Sequence, residues 1–306
     1  MVVGIPRALL YYYFKDVWID FFRELGVKTI TSPPTNKEIV KRGVALSVDE
    51  ACFSSKLCIG HVDWLVGKCD MVFVPRFENI GIREDFCPRI FGMYDVIEHT
   101  FKNANLLSAD VNILFRKREV DAYMQIGQQL GFSAEESKKA FEVASEKAKQ
   151  IHAQALSNQE KLIEQDGMKV LLVSHSYNLH DSYVGGPIVE YFDNNDIKVI
   201  FDDLVDTKEA KQKTKEIHGN RIYWKINNDL LGGIELYKDK VDGIVLITTF
   251  PCGPDSIFNE MITRSICDKP ILSLMVDELD ATAGLQTRLE SFIDILTARK
   301  KGGLLK

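Results

Sequence analysis

The stretch VDGIVLITTFPCGPD, residues 241–255, holds the pattern from which the architecture follows. Val241–Thr248 reads as a β-strand, with Ile244–Ile247 an unbroken apolar run. Phe250-Pro251-Cys252-Gly253-Pro254 interrupts it with turn residues, and Asp255–Ile266 returns to helical spacing. A strand that turns into a helix before the next strand is the unit of a mainly parallel sheet. The unit repeats on both sides. Downstream, Pro270–Val276 is expected as a strand and Leu285–Arg299 as the last helix. Upstream lie strands at Met168–Val173 and Lys198–Phe201. Between and after them come helices at Tyr183–Asp193, Thr207–Ile217 and Asn228–Tyr237.

The first hundred residues follow the same alternation. Val2–Ile5, Val27–Ser32, Met71–Pro75 and Asn105–Leu107 read as strands. Tyr11–Leu25, Asn36–Arg42, Glu50–Val66 and Met93–Asn103 read as helices, the first stopped by Gly26 and the third by Gly67. Arg76–Pro88 has no clear period and reads as a loop. Val111–Leu130 and Ser133–Gln165 are polar and lack strand signals, and Ser133 with Glu136 forms a capping-box-like start. The expected fold is α/β: two Rossmann/flavodoxin-like doubly wound lobes with mainly parallel sheets, joined by a helical bridge. The boundaries are 1–109, 110–166 and 167–306.

Composition removes several function classes. A net charge of −6 argues against a general nucleic-acid binder, which needs a concentrated positive surface. The apolar runs are too short to span a membrane, and Met-Val-Val-Gly-Ile-Pro-Arg is no signal peptide. A cytoplasmic protein is expected.

In a reducing compartment the six cysteines are not expected to be disulfides. They are small buried side chains or ligands for a soft metal. Cys87 and Cys252 fall in loops beyond strands, where such sheets bind ligands. Cys52 falls at a helix start, where backbone N–H groups favour a thiolate. Shared ligation of an iron–sulfur cluster and plain burial are both open for these three. Their separations do not match a compact ferredoxin run. Cys58, Cys69 and Cys267 are expected as buried filler. Lys56 lies on the Cys52 face of its helix and is placed to offset cluster charge. Arg7 and Arg76 follow strands and are candidates for a carboxylate or phosphate, or for pairing with acids. His61 is expected to be a hydrogen-bonded structural residue. His175, Tyr177 and Asp181 follow a strand and are candidates to line a site.

Several motifs together resemble one family. Gly4-Ile5-Pro6-Arg7, Cys52-Phe53 with Gly60-His61-Val62, Phe73-Val74-Pro75-Arg76, and Cys87-Pro88 resemble the 2-hydroxyacyl-CoA dehydratase component and acyl-CoA dehydratase activase-related proteins. So do Ser174-His175-Ser176-Tyr177-Asn178, Cys252-Gly253-Pro254-Asp255 and Asp277-Glu278, in the same order along most of the chain. The resemblance implies two lobes with an iron–sulfur cluster held between them, and three thiolate ligands carried onto Cys52, Cys87 and Cys252. It implies a [4Fe–4S] cubane rather than a double cubane, with one iron open. It also implies an ATP-dependent activase as electron donor, a small or CoA-linked substrate, and a homo- or heterodimer. The chain has Ser54 where relatives often have proline. It has no Gly-x4-Gly-Lys-Ser/Thr loop, so ATP hydrolysis is expected of the partner. The alternatives are a non-catalytic electron carrier or assembly partner, and a zinc or apo α/β binding protein.

Overall fold

The structure, a computed structural model, describes residues 1–81, 84–219, 224–279 and 282–302. They form two compact units: Met1–Gln154 together with Trp224 and Lys225, and the described remainder from Ala155 onward.

The first unit contains β1 (Val2–Ile5), α1 (Tyr11–Glu24), β2 (Lys28–Thr31), α2 (Lys37–Ala45), α3 (Phe53–Leu65) and β3 (Met71–Phe73). There follow β4 (Arg76–Asn79), α4 (Pro88–Phe91), α5 (Met93–Thr100), β5 (Leu106–Leu107), β6 (Asp110–Asn112), α6 (Glu119–Gln129) and the start of α7 (Ala134–Glu164). The second unit takes the end of α7. Its other elements are β7 (Met168–Val173), α8 (Ser176–Leu179), α9 (Gly186–Asp193), β8 (Ile197–Phe201), α10 (Thr207–His218), α11 (Lys225–Tyr237), β9 (Gly243–Thr249), α12 (Gly253–Ser265), β10 (Ile271–Val276) and α13 (Thr282–Lys300).

Each unit is built on a four-stranded parallel sheet, and the strand order is equivalent: β2-β1-β3-β5 in one, β8-β7-β9-β10 in the other. In both, the first crossover goes to one side of the opening strand and the next returns to the other. The winding therefore reverses between β1 and β3, and between β7 and β9. Open α/β sheets bind ligands at that reversal, beyond the carboxyl ends of the strands. The expected doubly wound α/β class is what the chain adopts. The central strand β9 is buried along its whole length, as a strand covered on both faces must be.

Two expectations change. The supposed loop at Arg76–Pro88 opens with β4, which pairs in parallel with β6 through Arg76↔Asp110 and Phe77↔Val111. Its burial alternates, Phe77 in and Glu78 out, but over too few residues for the period to stand out. Residues 82–83 of that loop lie outside the described set. The segment 110–166 is likewise not uniformly helical, because Asp110–Asn112 is β6.

The division between the units falls inside α7, at 154/155. Tyr123 of α6 stacks on Phe141 of α7 at 4.3 Å and meets Phe21 of α1 edge-on at 4.9 Å. Lys147 pairs with the buried Asp20 at 3.1 Å. At the other end of α7, the buried Gln159 side chain bonds to the backbone of Phe201 in both directions and also donates to the Leu204 carbonyl. This single helix contributes core residues to the first unit and backbone hydrogen bonds to the second.

The contact between α2 and α3 sets where the Cys52 end of the first unit lies. The helices cross at two glycines. A Cβ on Gly43 would meet the Lys56 carbonyl oxygen at 2.0 Å, and one on Gly60 would meet the Ile39 carbonyl oxygen at 2.2 Å. Only glycine permits this approach.

Candidate functional site

None of the six cysteines is in a disulfide, and the structure sorts them by local setting. Cys52, Cys87 and Cys252 are each the N-cap residue of a helix, with extended backbone (φ −62°, −57° and −88°) and half-buried side chains. Proline or glycine follows at Cys87-Pro88 and Cys252-Gly253-Pro254, in keeping with helix starts. The N-cap position directs a side chain toward backbone N–H groups that have no partner within the helix. None of the three side chains makes a cap hydrogen bond to them. The Cys52 Sγ also lies 3.0 Å from Ser55 Oγ.

The remaining three differ. Cys58 is buried in α3, and burial pushes its thiol up to about 12. Cys69 packs against Gly4, where a Cβ would meet its Sγ at 2.5 Å; partial burial raises its thiol too. Cys267 departs from the expectation of buried filler. It is exposed, because it lies past the last turn of α12 and before the edge strand β10.

At the winding reversal of the second unit, a group of polar side chains meets. β7 ends into Ser174 and His175, and β9 ends into Phe250-Pro251-Cys252, with a cis bond before Pro251. Ser174 Oγ donates to the Ile247 carbonyl at 2.6 Å and ties the two strand ends together. His175 Nε2 lies 2.6 Å from Asp255 Oδ1, in the first turn of α12, and Asn227 Nδ2 of α11 donates to the same oxygen at 3.0 Å. Burial pushes the Asp255 carboxyl up. The charge of His175 and hydrogen bonds from His175, Asn227 and Cys252 outweigh this and hold it below the usual range. One donor atom each from His175, Cys252 and Asp255 lies within 4.8 Å of the other two. Tyr177 stacks on the His175 ring, with centroids 4.8 Å apart and planes 12° off parallel.

The matching reversal in the first unit is apolar. It holds a cavity of about 30 Å³ lined by Pro6, Leu9, Trp18, Cys58, Phe73 and Val74, among others. That is room for about one water.

The other residues read from sequence have mostly structural partners. Arg7 binds Ser32 twice, through its backbone N–H to Ser32 Oγ at 2.8 Å and through Nε to the Ser32 carbonyl at 3.1 Å. Arg76 takes the acid-pairing alternative: it meets Asp95 at 2.7 Å and stacks on Tyr94 at 4.7 Å. Lys56 is buried, 3% exposed, which makes it more than a surface counter-charge. Asp181 uses its Oδ1 to accept from the backbone N–H groups of Tyr183 and Val184, so it holds the turn into α9. His61 is, as expected, a structural residue, bonded at both ring nitrogens. Sequence reasoning noticed His175 but missed Asn227 and the role of Asp255. The Cys252-x-x-Asp255 spacing, which puts both at the start of one helix, was the available signal.

Two doubly wound α/β units, one with a His–Cys–Asp cluster at its winding reversal, define the structural class. Within it, the chain belongs to the family described as the CoA enzyme activase uncharacterised domain, whose model matches residues 2–205. This agrees with the activase-related part of the resemblance. The matched region stops short of Cys252 and Asp255. No curated protein matches the chain. Among solved structures, the lactose repressor bound to the anti-inducer ONPF in its induced state aligns with 100% of this chain and 94% of its own. Its identity is 10% and its TM-score 0.23, too distant to carry an argument. Among the described residues, no helix is long and apolar enough to cross a membrane.

Proposed function

We propose that the chain is an iron–sulfur redox protein, with a [4Fe–4S] cluster on Cys52, Cys87 and Cys252. An ATP-dependent activase supplies the electron, and the substrate is small or CoA-linked. The observation that carries this reading is the common setting of the three cysteines. Alone among the six, they cap helices with half-buried thiols. The donor set fits the group: thiolates are the usual cluster ligands, and N–H donors near sulfur stabilise the reduced, more negative state. When bound, such a cluster supplies a store for one electron and an iron without a protein ligand.

This chain's own part is to hold the thiols in place. The Cys52 carbonyl accepts from Ser55 and Lys56, that of Cys87 from Ile90, and that of Cys252 from Ser256. Each cysteine backbone is thereby fixed to the first turn of its helix.

Anaerobic reconstitution with iron and sulfide is expected to load about four irons per chain, with an EPR signal on reduction. The Cys252→Ser variant is expected to lose that iron. Uptake of about eight irons would indicate a double cubane instead. A chain that takes up no iron under these conditions does not do this chemistry. Reduction of the loaded chain by an activase only in the presence of ATP tests the partner.

A further inference from the structure

We propose that His175, Cys252 and Asp255 form a mononuclear site for a borderline-soft divalent cation, Zn²⁺ or Fe²⁺, built within the second unit alone. The proposal does not rest on the cluster, since it uses neither Cys52 nor Cys87. Cys252 is common to both, so the mononuclear site belongs to the chain when no cluster is present.

The donor set is the first argument. One thiolate, one imidazole and one carboxylate suit zinc or ferrous iron, whereas magnesium and calcium prefer oxygen ligands throughout. Spacing is the second. Tetrahedral ligands at about 2.0–2.3 Å from a metal lie roughly 3.5 Å from one another. The three donors already lie within 4.8 Å of each other, so about an ångström of contraction suffices. Cys252 is half-buried, while His175 and Asp255 are 4% and 3% exposed.

The third argument is independent of the other two. Among the described residues, His175 Nδ1 and Asp255 Oδ2 of these two buried side chains have no hydrogen-bond partner. A buried polar atom without a partner costs about 1–3 kcal/mol. Both unpartnered atoms belong to the His175–Asp255 pair at the winding reversal, the same pair that clusters with the Cys252 thiol, so each of the two side chains keeps one donor atom to offer. Supporting contacts are already present: Asn227 fixes the Asp255 carboxylate, and Tyr177 stacks on the imidazole. Metal ligands are commonly oriented by such neighbours. Three protein ligands leave a fourth position for water or a substrate oxygen, the arrangement of open zinc sites.

The test uses the full chain, stripped with a chelator under anaerobic reducing conditions and titrated with Co²⁺ alone. One Co²⁺ per chain is expected, with a thiolate-to-metal charge-transfer band and displacement by Zn²⁺. The Cys52→Ser/Cys87→Ser double variant is expected to keep the band, and Cys252→Ser to lose it. His175→Gln and Asp255→Asn are each expected to weaken Co²⁺ binding about tenfold or more. Circular dichroism reports whether these two buried variants fold; if they do not, the cysteine variants still decide. Absence of Co²⁺ uptake by the wild-type chain overturns the proposal. So does loss of the band in the Cys52/Cys87 variant, or undiminished binding in folded His175→Gln and Asp255→Asn. Failure of the cluster reading looks different: no iron–sulfide uptake, while Co²⁺ binding persists.

Discussion

Replacing Gly60 by alanine is expected to lower the unfolding free energy by about 3 kcal/mol, at the upper end of what overpacking costs. The new methyl would lie 2.2 Å from the Ile39 carbonyl oxygen, less than any van der Waals contact allows. The obstacle is backbone of the neighbouring helix, so no rotamer change relieves it. α2 and α3 must separate, and the apolar contacts along their whole crossing loosen with them. Gly43→Ala should behave alike, because its Cβ would meet the Lys56 carbonyl oxygen at 2.0 Å. Gly284→Ala is the control of opposite sign. Among the described residues nothing lies within 4 Å of its Cβ position, and it sits in α13, so a gain of up to about 1 kcal/mol is expected. Urea midpoints at constant m-value measure all three. α3 carries Cys52 at its N-cap, so Gly60→Ala is also expected to lower iron retention after reconstitution.

Acidification is expected to destabilise the first unit through His61, by on the order of 5 kcal/mol across its titration window. The imidazole is fully buried and lies between Ser32 Oγ and Thr35 Oγ1, each 2.9 Å from a ring nitrogen. Burial first, and the nearby positive Arg7 second, lower its pKa from 6.5 to about 3. In the unfolded chain the same ring takes up a proton near pH 6.5. The folded form cannot follow until about pH 3, so the stability that neutral His61 contributes is complete above 6.5 and is lost as pH falls toward 3. Glu119 acts in the opposite direction. Burial raises its carboxyl from 4.5 to about 7, so its contribution is present at low pH and is lost as pH rises from 4.5 through 7. A His61→Gln variant isolates the histidine. Its stability from chemical denaturation should depend less steeply on pH between 6.5 and 3 than that of the wild type. Equal slopes would show that His61 does not titrate in this way.

Cys252 stands at the intersection of both metal readings, and the two need different neighbours. The cluster needs thiolates from remote parts of the sequence. The mononuclear site needs Asp255, on the same helix start, and His175, 80 residues earlier. The Cys52→Ser/Cys87→Ser variant therefore separates them more cleanly than any change at Cys252.

The alternation of apolar strands and amphipathic helices was legible along most of the chain. Val2–Ile5 and Met168–Val173 are strands over the expected residues, because each is a compact apolar run between turn signals. β4 and β6 were hidden, being three or four residues long with polar side chains, and they exist because they pair with each other. α7 was legible as a helix but not as a shared core element. Its buried positions include Ala140 and Ala144, whose small side chains give a weak apolar stripe in a charged sequence. Cys267 shows the limit for single residues. Cysteine is commonly buried, yet its place past a helix end, before an edge strand, leaves it exposed.

By itself the sequence determined the α/β class, the two lobes and the places where strands run into cysteine-bearing helix starts. Those features follow from local periodicity and from the backbone preferences of proline and glycine. Only the tertiary structure decided which strand ends are neighbours. β9 pairs with β7 rather than with β8, and that pairing brings His175 against Asp255 and Cys252. Strand order depends on how each crossover packs across the sheet. That is a long-range choice, which no local stretch of residues encodes.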